Sequence, residues 1–107
     1  MIILKFGGSS VGSSERIVNV IEIICSTLKK NKKISIVFSA FQGVTDELIR
    51  IADLASTGNN KYQELFKYLE LRHLSVAKDL ISIKKQSNIL ANIKLNLNEL
   101  EDVIHGV

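Results

Sequence analysis

The chain carries, near its start, a group of residues with the types and spacing to hold an anion: Lys5, Gly7, Gly8, Ser9 and Gly12 in the stretch LKFGGSSVGSS. A glycine-rich turn leading from a strand into a helix presents unpaired backbone N–H groups at the positive end of the helix dipole, which suits phosphate or carboxylate. The same glycines can equally serve only to make a tight strand-to-helix turn. Two familiar phosphate loops can be tested against the letters. The dinucleotide pattern G-x-G-x-x-G fails because Ser9 stands where its second glycine should be, although Gly12 fills the last place. The pattern G-x-x-x-x-G-K-[ST] has its spacing in Gly7 to Gly12, but Ser13 occupies the lysine position.

Here the cation precedes the loop. Strand alternation aims Lys5 and Gly7 the same way, which sets the ammonium over the loop N–H groups. A lysine within an otherwise apolar strand is costly to bury unless an anion pairs with it, so Lys5 is the residue on which phosphate binding is expected to turn.

Other groups carry less. Asp46 and Glu47 could ligate magnesium, but acids in a first helical turn are expected from the dipole alone. His73 and His105 lack the carboxylate or cysteine neighbours of a metal site or triad, so no metal site is expected. Tyr62, Phe66 and Tyr68 fall near helical spacing and read as packing rather than a stacking platform for bases. Cys25, the single cysteine, excludes an internal disulfide and reads as an inert core thiol.

The elements that must position these residues follow from periodicity. IILKF (2–6) and ISIVFSA (34–40) read as buried strands, each followed by a glycine turn and a helix. The first helix places Ile17, Val20, Ile21, Ile24 and Leu28 at helical spacing behind a cap at Ser13 or Ser14. The second starts at a capping Thr45 or Asp46 and carries Val44, Leu48, Ile51 and Ala55 on one side. Strand-helix-strand order makes the two strands parallel neighbours. After a loop at 56–60, a helix from Lys61 to about Ser82 and a fourth helix bearing Ile89, Ile93, Leu97, Leu100 and Ile104 form a hairpin. Two strands are too few to stand alone, so the chain reads as the opening segment of a larger α/β domain.

Composition agrees with a folded protein. The 107 residues are 46% hydrophobic and 23% charged, away from the signature of disorder, and the lack of proline favours uninterrupted helices. The net charge of +3 comes partly from LKKNKK (28–33) and from Lys84 and Lys85. Both clusters read as helix C-terminal cations rather than a nucleic-acid footprint, because no aromatic residues interleave with them. Neither a secretory signal nor a membrane-length apolar run is present, so a cytoplasmic protein without a membrane role is expected.

With those residues in place, ILKFGGSSV (3–11) resembles the N-terminal signature of the aspartate kinases: an aliphatic residue, any residue, Lys, Phe or Tyr, two glycines, Ser or Thr, Ser or Cys, and an aliphatic residue. VFSAFQGVTDELI (37–49) is similar to that family's second conserved block, in which a Ser-Ala pair ends a strand and Gly-x-Thr opens a helix. The helical hairpin and the final HGV resemble longer-armed members, including the kinase halves of fused aspartokinase–homoserine dehydrogenases.

The resemblance implies the three-layer α/β/α amino-acid-kinase-like (carbamate-kinase-like) fold, with residues 1–107 as the N-terminal segment of the catalytic domain and no regulatory domains. It implies transfer of the γ-phosphate of ATP, as its Mg2+ complex, to the side-chain carboxylate of L-aspartate, at the entry to lysine, threonine and methionine synthesis. Lys5 would neutralise charge on the transferring phosphoryl, Gly7, Gly8 and Ser9 would donate to the phosphates, and Ser39 would face the same pocket. Thr45 would contact aspartate. A homo-oligomer is expected. The acidic residue that holds aspartate in the family lies in a later Gly-Glu motif, and this sequence contains no Gly-Glu pair, so the chain by itself is expected to be inactive. The alternatives are a nucleotide-binding or assembly segment without catalysis, and a related acyl-phosphate kinase with another substrate.

Overall fold

In a computed structural model, residues 1–106 are described and form the order β1 (Ile2–Phe6), α1 (Ser14–Lys30), β2 (Ile34–Phe38), α2 (Val44–Ser56), α3 (Tyr62–Leu80) and α4 (Ile83–His105). The fold class is α/β, with two parallel strands and four helices as the periodicity predicts. The chain divides into two compact units, Met1–Val44 and Thr45–Val107.

In the first unit β1 and β2 pair in parallel, from Ile2 opposite Ile34 to Phe6 opposite Phe38. The ladder continues one step further where Ser39 N–H donates to Phe6 O at 2.9 Å. Alternation sends Leu4, Phe6 and Ile36 to the face on which Val11, Ile17, Val20, Ile24 and Phe41 pack. The other face is bare: Ile3 is 65% exposed, Val37 49%, and Lys5 is exposed. The expectation of buried strands is therefore wrong for this chain, because one helix covers one face of a sheet. The burial cost argued for Lys5 does not apply either, since its side chain reaches solvent.

Ser13 caps α1, its hydroxyl accepting from Arg16 N–H at 3.3 Å, while Lys29 and Lys30 lie in the last turn, where cations suit the dipole. The helix is apolar over more of its circumference than one sheet face can cover, which leaves Ile21 and Leu28 each 48% exposed. Cys25 is exposed as well, which corrects the reading of a core thiol.

In the second unit, α2 begins at Val44, one residue too early for Thr45 or Asp46 to cap it; Gly43, just ahead of the helix, takes φ 85, a left-handed conformation that glycine adopts without strain. Ile51 on α2 is fully buried, and Glu47 pairs with Arg72 of α3 at 3.6 Å. Helices α3 and α4 form the expected hairpin. Near its open end Tyr62 Oη lies 2.9 Å from His105 Nδ1, and further along Lys94 binds the buried carboxylate of Glu70. At the closed end the Gln86 amide donates to Lys78 O at 2.9 Å and Ile81 O at 2.6 Å, fastening the connection. Phe66 and Leu69 are the largest fully buried side chains of α3.

Two expectations fail here. Lys84 and Lys85 lie in the first turn of α4, not at a helix C-terminus, so the dipole opposes them and solvation alone accommodates their charge. Tyr68 is 63% exposed and does not join Tyr62 and Phe66 in packing, since the apolar stripe runs through Tyr62, Phe66 and Leu69 instead.

Candidate phosphate-loop site

The loop from Gly7 to Ser13 is built by short local bonds. Ser10 N–H donates to Gly7 O at 3.1 Å and Val11 N–H to Gly8 O at 3.3 Å, which folds the chain sharply out of β1. Buried Val11 anchors the far side of the loop in the core of the first unit. Among the described residues, the N–H groups of Gly7, Gly8 and Ser9 donate to nothing. They sit just ahead of the N-terminus of α1, where the dipole adds positive potential.

The glycines have different causes. A Cβ on Gly8 would lie 3.4 Å from both Ala40 O and Gln42 Cα, and one on Gly12 would lie 2.9 Å from Gln42 Oε1 and 3.3 Å from its Cβ. These two glycines let the first loop lie against the second, at residues 40–42. Gly7 differs: a Cβ there would meet nothing within 4 Å, its φ is not positive, and it is exposed. Neither the turn nor the packing explains a glycine at that position.

An open cavity of about 440 Å3 lies against the loop, lined by Lys5, Ser9, Ser10, Arg16 and Asn19, with Phe6, Val20 and Ile23 as its apolar part. It thus brings together Lys5 and Ser9. Gly7 and Gly8 belong to the loop beside them, and exposed Ser39 is tied to the end of β1 through its backbone bond to Phe6. Thr45 belongs to the second unit, where it is the exposed second residue of α2. Among the described residues no carboxylate pairs with Lys5 or Arg16. No group of three or more His, Cys, Asp or Glu there could hold a metal ion, and no helix is long and apolar enough to cross a membrane.

Two residues at this site escape the motif reading. Gln42 is the side chain that lies over Gly8 and Gly12, and nothing in its type announces that role. Arg16 lines the cavity, and its Nη1 donates to Ser9 O at 2.7 Å. A signal for it was present, since a cation in the first turn of a helix opposes the dipole and asks for a reason.

Residues 1–102 match the amino acid kinase family. The chain is 27% identical over 103 residues to bifunctional aspartokinase/homoserine dehydrogenase 1, chloroplastic, of Zea mays, a match covering 96% of this chain and 11% of that protein. It is 40% identical over 63 residues to an aspartokinase of Rickettsia prowazekii (strain Madrid E), covering 59% of this chain and 14% of the relative. To an aspartokinase of Chlamydia pneumoniae it is 37% identical over 79 residues, covering 74% and 16%. The chain therefore spans only 11% to 16% of the length of these curated relatives. Because the match runs from β1 through nearly all of α4, the chain belongs to the amino acid kinase family.

Proposed function

We propose that this chain is the phosphate-binding part of an aspartate kinase, which transfers the γ-phosphoryl group of MgATP to the side-chain carboxylate of L-aspartate. One observation carries the reading. Lys5, unpaired with any carboxylate among the described residues, lines one cavity with Ser9 beside a loop whose N–H groups of Gly7, Gly8 and Ser9 are free to donate. Glycine at position 7, which the fold does not require, leaves room for a ligand to approach the backbone. The relatives named aspartokinase supply the substrate.

In this reading the aspartate carboxylate oxygen attacks Pγ and the bond from Pγ to the β,γ-bridging oxygen breaks, its electron pair leaving with ADP. Lys5 neutralises charge on the transferring phosphoryl, and the loop donors hold the phosphates in line. Ser39 serves the same phosphates from the end of β2, and Thr45 contacts aspartate. Magnesium arrives with the nucleotide, as part of the MgATP substrate.

Calorimetry with a non-hydrolysable MgATP analogue, which keeps a γ-phosphoryl group, on the native chain and on Lys5→Ala tests this. Removing a charge-assisted hydrogen bond costs about 1.5–3 kcal/mol, so affinity should fall roughly ten- to 150-fold. Equal affinities, or no binding to the native chain, would refute the assignment.

A further inference from the structure

The peptide unit joining Ser9 to Ser10 is held at both ends. Its N–H donates to Gly7 O at 3.1 Å, and its carbonyl accepts from Arg16 Nη1 at 2.7 Å. A guanidinium is a rigid fork with five donors, so one bond to Ser9 O leaves others for a ligand, and Arg16 lines the cavity shared with Lys5. The backbone N–H of Arg16 is itself bound by the Ser13 cap, which fixes the base of the side chain. Without the guanidinium, the Ser9 carbonyl has no partner among the described residues and its peptide is held only through the Ser10 N–H bond to Gly7 O.

The electrostatics give this arrangement a direction. Lys5 and Arg16 place two positive charges on one cavity at the N-terminal end of α1, where the dipole adds more of the same sign. No carboxylate among the described residues offsets either. Such a site matches an anion of at least two charges with several oxygens, and a lone carboxylate leaves it undercompensated.

We infer that Arg16 is a positioning residue of the phosphate loop, pinning the Ser9–Ser10 peptide while presenting its remaining donors to a polyphosphate chain held jointly with Lys5. This rests on the nucleotide-phosphate reading of the site and adds to it the second cation and the preference for linked phosphates.

The test uses the full chain, with calorimetric titrations of MgADP, inorganic pyrophosphate and orthophosphate against the native protein, Arg16→Ala and Arg16→Lys. The native chain should bind pyrophosphate more tightly than orthophosphate. Arg16→Ala should weaken MgADP at least tenfold, lose that preference, and speed hydrogen exchange at the Ser10 amide while overall helicity stays native. Arg16→Lys, which keeps the charge but not the fork, should recover only part of the affinity. Equal MgADP affinity in the native chain and Arg16→Ala overturns the role of Arg16 and leaves the nucleotide reading standing. Failure of the native chain to bind MgADP or pyrophosphate overturns both.

Discussion

Gly7→Ala separates a glycine kept for the fold from one kept for a ligand. In the free chain the added methyl meets no atom within 4 Å, and the position needs no left-handed backbone. The substitution should therefore leave the fold intact and, by restricting the unfolded chain, stabilise it by about 0.4–1 kcal/mol. For a domain of this size that is a rise in Tm of roughly 2–8 °C. Binding should move the other way. The methyl stands on a loop whose N–H groups at Gly7, Gly8 and Ser9 have no acceptor among the described residues, and a displaced phosphate loses at least one charge-assisted bond worth about 1.5–3 kcal/mol. Thermal unfolding followed by circular dichroism, with and without saturating MgADP, reads both effects in one experiment: the apo transition rises and the ligand-induced increment shrinks. An unchanged increment would show that glycine at this position owes nothing to a ligand. A lower apo transition would show that the steric account of the loop is wrong.

Stability predictions follow for the second unit. Ile51→Ala empties a fully buried position on α2 and should cost about 2–5 kcal/mol, read as a lower urea midpoint; a change under about 1 kcal/mol would mean the site collapses around the smaller side chain. Lys94→Met removes the partner of Glu70, whose side chain is only 7% exposed, and should cost about 1–3 kcal/mol, with Glu70→Leu in the same chain restoring most of it. Failure of the double variant to recover would show that the pair is not what holds α3 to α4 at this point.

The element order and the helical faces of the hairpin were legible because their periodicity is strong. Ile51 and Val44 on α2, and Phe66, Leu69 and Ala77 on α3, are buried where spacing places them. The loop was legible too, since a cation ahead of glycines and a capping Ser13 are local signals. Periodicity identifies a face that can be buried, not one that is. For that reason Ile21, Leu28 and Cys25 of α1 and Ile3 of β1 look like core in one dimension and meet solvent in three. The roles of Gln42 and Arg16 depend on contacts between loop residues that no spacing rule encodes. The first turn of α4 misled for a simpler reason: Lys84 and Lys85 follow one helix so closely that they read as its end rather than the start of the next.

The exposure of Cys25 has a practical side. It is the chain's single cysteine and sits on the same helix whose first turn carries Arg16, about 13 Å further along the axis and roughly half a revolution around it. A maleimide fluorophore placed there reports from α1 without standing in the anion cavity. Occupancy of the loop can then be followed in real time, by a change in anisotropy or quenching, with no coupled assay and no turnover.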